Sequence, residues 1–200
     1  MSWVRIIPHS EAVGRLKALY DRIKGKDGYI DNILTVHSLR PHSLEAHLML
    51  YKYVLHHRDN SIPKRLSECM GLYVSMLNGC EYCVRHHYAG LRRIVMDDEL
   101  AAAIEKALQD GTPERAFEGK ELELMRYAEK LTLAPAEMVE GDIEALRAAG
   151  CDDGEILEAN QVIAYFAYAN RTALGLGVTT KGDILGLSPS SDDPGEWSHR

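Results

Sequence analysis

The sequence predicts an all-α fold, a multi-helix bundle that carries a cysteine pair at a helix N-terminus. Two observations set the class. Apolar residues recur at helical spacing along almost the whole chain, and no stretch alternates apolar and polar residues as a half-buried strand does. A third sets the boundaries: Gly, Pro and Asp punctuate the periodic segments where helices would begin and end.

Taken in order, Val13, Leu16, Tyr20 and Ile23 mark a first amphipathic helix, and Leu44, Leu48, Tyr51 and Leu55 a second. Ser61, Ile62 and Pro63 can start the next, because proline suits a first helical turn. Asn78 and Gly79 can end it in the left-handed conformation, and the cysteine-bearing helix follows. A helix after Asp97, with Leu100, Ile104 and Leu108 on one face, closes at Gly111, Thr112 and Pro113. Further helices are expected over 120–133, 135–149 and 153–175, which makes eight or nine in all. One helical domain over 1–187 is expected. Beyond Leu187 the sequence is rich in Ser, Pro, Asp and Gly, a composition that cannot bury enough apolar surface to order itself, so 188–200 is expected to be a flexible or partner-wrapping tail.

Composition excludes several functions. Thirty acidic against 23 basic side chains give a net charge of −7, and no basic stripe is present to track a phosphate backbone, so no nucleic-acid partner is expected. Apolar runs are broken by charges within about a dozen residues, short of the roughly 20 that span a bilayer, so no membrane partner is expected either. The first ten residues lack the apolar core of a secretion signal, which points to the reducing cytoplasm. There, four cysteines, two of them three residues apart, read as redox groups or metal ligands before they read as structural disulfides.

The segment 68–87 is the most informative. On a helix beginning at Gly79 or Cys80, the residues Cys80, Cys83 and His87 fall at i, i+3 and i+7 on one stripe, with Tyr82 and His86 pointing elsewhere. Glu68, on the preceding helix, reaches a similar height to His87 if the two helices form an antiparallel hairpin. Thiols at a helix N-terminus feel exposed N–H groups and the positive end of the dipole, and both favour thiolate. A glutamate that orients an imidazole beside a thiol completes a proton relay, so Glu68, His87, Cys83 and Cys80 are the candidate catalytic residues.

A Cys-x-x-Cys pair also serves zinc ribbons. Zinc wants a fourth soft ligand, however, and Cys69 and Cys151 are isolated and read as packed small hydrophobes. No metal and no cofactor are expected. His37, His42 and His47 are five residues apart, so a helix scatters them; they read as surface or capping residues. His56 and His57 read as cations closing a helix C-terminus. On the last helix Tyr165 and Tyr168 read as core, while Asn170 and Arg171 tie helix ends together.

The pattern Glu68, eleven residues, Cys80-x-x-Cys83, three residues, His87 resembles the signature of the alkylhydroperoxidase D-like (AhpD-like) proteins of the carboxymuconolactone decarboxylase superfamily. Leu77-Asn78-Gly79-Cys80-Glu81-Tyr82-Cys83 and the later run from Ala164 to Arg171 are most similar to the peroxidase-related enzymes among them, and the resemblance spans most of residues 10–187. It implies an all-helical AhpD-like bundle, a trimeric or hexameric homo-oligomer, and reduction of a hydroperoxide substrate with electrons from a dithiol reductant, in relatives a lipoyl-bearing protein. It further implies that Cys83 attacks the peroxide, Cys80 resolves and meets the reductant, and His87 with Glu68 moves the proton. Relatives with a histidine before the second cysteine differ from this chain, where Tyr82 is a poorer proton acceptor and lower peroxidase efficiency is expected. Two alternatives stay open: a non-catalytic redox-sensing or metal-holding module using the same thiols, and a decarboxylase-like relative, although decarboxylating members lack the dithiol.

Overall fold

A computed structural model describes residues 2–25 and 28–187. Among these residues there are nine α-helices, three short 3-10 turns and no strand. The α-helices are α1 (Gly14–Ile23), α2 (Asn32–Thr35), α3 (Pro41–His56), α4 (Lys64–Leu77), α5 (Glu81–Val95), α6 (Asp98–Gln109), α7 (Gly119–Leu133), α8 (Glu140–Ala148) and α9 (Asp153–Leu176). No helix among the described residues is long and apolar enough to cross a membrane. The expected 188–200 tail lies outside the described residues.

The centre of the bundle is α4, where every residue from Leu66 to Ser75 is buried. A helix buried on all faces needs neighbours all round, and α5, α7 and α9 supply them. Leu66, Met70, Leu72 and Val74 lie in this main core, and burying each is worth roughly 1.5–3 kcal/mol relative to exposure. A smaller core joins α1 to α3 through Leu16, Leu19, Tyr20, Leu44 and Leu48.

Local chemistry sets the helix ends. Asp97 caps α6 by accepting from the Leu100 N–H at 3.0 Å. Asp152 and Glu155 form a reciprocal capping box on α9, which stops at Gly177 in the left-handed region (φ 63°). The stretch expected to be one helix over 135–149 is divided: Pro135–Glu137 makes a single 3-10 turn, Met138 and Val139 are extended, and only then does α8 begin. Asp142 explains the restart, because its carboxylate accepts from the Val139 N–H at 2.8 Å and caps the new helix. The one-turn α2 has no counterpart in the periodicity of the sequence.

Beyond α9 the chain does not leave the bundle. The segment 177–187 runs back across the α5 face as a strap. At Gly186 (φ 73°) a Cβ would fall 2.7 Å from the Ala89 backbone, so only glycine lets the strap lie this close to α5.

Candidate active site

Between α4 and α5 the chain turns at Gly79 (φ 67°) and Cys80 (φ −87°, ψ 85°). Consequently α5 begins at Glu81, one residue later than expected, with Cys80 at its N-cap and Cys83 in its first turn. The two sulfurs lie 2.8 Å apart, and all four cysteines are free thiols. The α4–α5 hairpin also brings Glu68 to His87, whose Nδ1–H donates to Glu68 Oε2 at 2.7 Å. That bond leaves Nε2 as the ring nitrogen available to exchange a proton.

Two glycines make room for this pair. A Cβ at Gly90 would stand 3.3 Å from Glu68 Oε2. At Gly71 it would stand 2.1 Å from the Phe166 ring, which packs edge-on against His87 with centroids 4.5 Å apart. Neither glycine was singled out from the sequence, because each is required by a neighbour distant along the chain.

The thiols titrate as a pair. The hydrogen bond from Cys83 holds Cys80 below the ordinary thiol value against the opposing effect of burial, and the charge of His87 adds to the lowering. Cys83 is pushed well above it, because it would give up the hydrogen bond to Cys80, is buried, and would ionise beside a sulfur already charged. The Asn170 amide favours ionisation of both. Asn170 is fully buried, donates to Ser75 Oγ at 3.1 Å and accepts from Asn78 at 3.0 Å, so it does tie α9 to the end of α4. Arg171 plays no part in that tie, being exposed and bonded to the Ala167 carbonyl of its own helix.

Exposure differs from expectation. Cys80 is 0% exposed and Cys83 4%, so Cys80 is not the accessible thiol. It packs with Val36, Ala173 and Val178, the last of these on the strap. Cys83 instead lines a cavity of about 60 Å³, together with Glu68, His87, His47, Tyr51 and Tyr165. That space is large enough to admit water.

Tyr82 and His86 also line the cavity, although the helical stripe alone placed them elsewhere. Both are held by Asp183 of the strap: the Tyr82 hydroxyl meets its Oδ2 at 2.9 Å and His86 Nε2 meets the same oxygen at 3.1 Å. His47 is a further correction. It is 2% exposed rather than superficial, and its ring lies 4.9 Å from His37 and 5.8 Å from Tyr165. The inner face of α3 is set by its packing on α9, which spacing among histidines does not reveal. His56 is likewise buried, against Tyr51. Tyr165 is core as expected, whereas Tyr168 is 40% exposed. Cys69 and Cys151 are buried, and burial pushes Cys69 up to about 12, so it stays an inert thiol. Burial first, and nearby charge second, also keep the Tyr51 and Tyr165 hydroxyls protonated well above the ordinary phenol value.

Residues 41–129, which include α3 to most of α7 and the whole cysteine hairpin, match the Carboxymuconolactone decarboxylase family. No curated protein matches the sequence. Among solved structures, the chain is similar to an AhpD-core, peroxidase-related protein from Ralstonia eutropha JMP134 (22% identity, TM-score 0.77, covering 89% of this chain and 91% of that one). It is similar also to a peroxidase-related protein from Silicibacter sp. TM1040 (23%, TM-score 0.76, 89% and 91%). The debrominase Bmp8 shares the fold at greater distance (19%, TM-score 0.66, 85% and 87%). At these identities the likenesses establish a common fold and no more. The cysteine hairpin thus lies in the segment that matches the Carboxymuconolactone decarboxylase family, within a fold that the chain shares with AhpD-like structures over most of its length.

Proposed function

We propose that this protein is a thiol-dependent hydroperoxide reductase that cycles through a Cys80–Cys83 disulfide. The observation that carries the reading is the juxtaposition of two free thiols 2.8 Å apart with a Glu68–His87 pair, where Cys83 and His87 share one small cavity. The peroxidase-related relatives support it.

In this reading the Cys83 proton passes to the Cys80–His87 side as Cys83 Sγ attacks the outer peroxide oxygen. The O–O bond breaks, the alkoxide takes up a proton and leaves as alcohol, and Cys83 becomes a sulfenic acid. Cys80 then attacks that sulfur. The S–S bond forms, the S–O bond breaks, and hydroxide departs as water with the Cys80 proton. An external dithiol, such as a lipoyl-bearing protein, restores both thiols by two exchanges and is itself oxidised. Glu68 fixes the tautomer and orientation of His87 and stabilises its cation. The cycle needs a reducing compartment, such as the cytoplasm.

The test is consumption of tert-butyl hydroperoxide by the purified protein with dihydrolipoamide as donor. Turnover is expected for the native chain, at most one equivalent for Cys80→Ser with a sulfenic acid trapped on Cys83, and none for Cys83→Ser. Native thiols that react no faster with peroxide than free cysteine would sink the reading and favour a sensor. Oxidation that accumulates on Cys80 in Cys83→Ser, with Cys83 inert in Cys80→Ser, would reverse the two roles.

Self-association belongs to the same proposal. Met49, Leu50 and Tyr53 on α3 and Leu157 and Leu174 on α9 are each 40% or more exposed, an apolar display that a second copy would cover. A monomer by sedimentation at micromolar concentration would remove this part.

A further inference from the structure

Beside the thiols lies a second cluster that the peroxide chemistry does not use. Asp31 at the N-cap of α2, His86 on α5 and Asp183 on the strap each point one donor atom into a common space, and these atoms all lie within 4.8 Å of one another. The groups are enclosed: Asp31 is 6% exposed, and the Asp183 and His86 side chains 1% and 13%. Asp31 and His86 also line the cavity that Cys83 faces, which gives an ion a path in and room for water ligands.

Donors around a first-row metal at about 2.1 Å stand about 3.0–3.5 Å from one another. His86 Nε2 and Asp183 Oδ2, at 3.1 Å, already have that separation, and the Asp31 donor lies within 4.8 Å of both. The carboxylates are oriented from behind. Tyr29 donates to Asp31 Oδ1 at 2.8 Å, Tyr82 to Asp183 Oδ2 at 2.9 Å, and the Asn32 N–H to Asp183 at 3.3 Å. Hydrogen bonds of this kind fix the ligands of a metal site. Two carboxylates and one imidazole suit the class from manganese to zinc better than magnesium, which prefers oxygen alone, or copper(I), which prefers sulfur.

We propose that Asp31, His86 and Asp183 form a binding site for one divalent first-row cation. Its remaining positions are filled by water from the cavity. His86 binds through Nε2 as neutral imidazole, with its ring proton on Nδ1. The site is independent of the peroxide reading. Its structural consequence is a cross-link, because its ligands come from the α2 turn, from α5 and from the strap that covers Cys80, so the ion pins the strap shut.

The experiment loads chelator-stripped full-length protein with Mn²⁺, a cation with little affinity for thiols, and measures retained metal and its electron paramagnetic resonance signal. Limited proteolysis of the strap is followed in parallel. The expected result is one Mn²⁺ per chain, retained in the Cys80→Ser/Cys83→Ser double variant, with slower cleavage after 177 when loaded. His86→Gln and, separately, Asp183→Asn should weaken binding by about tenfold or more. Should one of these variants fail to fold, the other decides. No retention of Mn²⁺ or of Zn²⁺ by the native chain would overturn the proposal. So would metal lost with the cysteines but kept by His86→Gln and Asp183→Asn, since the ion would then sit on the thiols.

Discussion

A proton between two sulfurs 2.8 Å apart belongs to neither alone, and the surroundings decide which charge state is reached first. Cys80 accepts the hydrogen bond from Cys83 and feels the His87 charge, so its ionised form is favoured, while Cys83 retains the proton. The pair therefore favours the negative charge on the buried Cys80 and the proton on the cavity-facing Cys83, which in the proposed cycle passes that proton to a neighbour as it attacks. This fixes the sign of the pH dependence. A thiol whose folded pKa is depressed contributes stability that is present above the ordinary thiol value and lost as pH falls through the folded value. Thiolate ultraviolet absorbance should accordingly appear at lower pH than in a free cysteine. In Cys83→Ala the donor is gone, so the titration midpoint of Cys80 is expected to move upward. A midpoint that stays in place would mean that the helix terminus and His87, rather than the partner thiol, hold the charge.

At the scale of elements, the α4–α5 hairpin is the unit that builds the site, and it was legible in the sequence because its signals are local. Helical period, the Asn78-Gly79 stop and the spacing of Glu68, Cys80, Cys83 and His87 all lie within twenty residues. What remained hidden depends on packing between elements far apart in sequence. His47 and Tyr51 enter the cavity because α3 lies on α9, and Asp183 meets His86 because the strap returns to α5. Period-based reading finds which face of a helix is apolar but not which buried polar groups meet across an interface. The two small residues of the hairpin follow the same logic and can be tested. Gly71→Ala would drive a methyl into the Phe166 ring, and overpacking of this kind costs about 1–3 kcal/mol in denaturant unfolding. Because Phe166 abuts His87, the imidazole should shift as well, visible as a changed His87 resonance. Gly90→Ala, whose new methyl meets Glu68 Oε2 at 3.3 Å, should disturb the Glu68–His87 bond with a smaller loss of stability.

For the molecule as a whole, the proposed cycle requires a dithiol reductant to reach Cys80, a sulfur that is fully buried. Cys80 lies under Val36, Ala173 and Val178, and the strap bearing Val178 is fastened by a few polar contacts rather than by a deep apolar core. Asn32 is one fastener, since its side-chain amide donates to the Thr179 carbonyl at 2.8 Å and the Lys181 carbonyl at 3.0 Å. Ile184 N–H to Tyr29 at 2.9 Å and Arg85 to Thr180 at 3.2 Å are others. Asp183 anchors the far end of the strap to Tyr82 and His86, whereas the contacts of 179–181 are exposed, so the stretch next to Val178 is the part expected to open ahead of global unfolding. In the proposed cycle peroxide does not need that opening, because Cys83 lines the cavity. The two half-reactions should therefore separate. Asn32→Ala removes two hydrogen bonds, worth about 1–2 kcal/mol together, which raises the open population roughly five- to thirtyfold. Exchange of the oxidised protein with a bulky dithiol should accelerate by that order, while oxidation of the reduced protein by tert-butyl hydroperoxide stays unchanged. Equal acceleration of both rates would indicate a general loosening of the site, and no change in either would show that the reductant reaches Cys80 by another route.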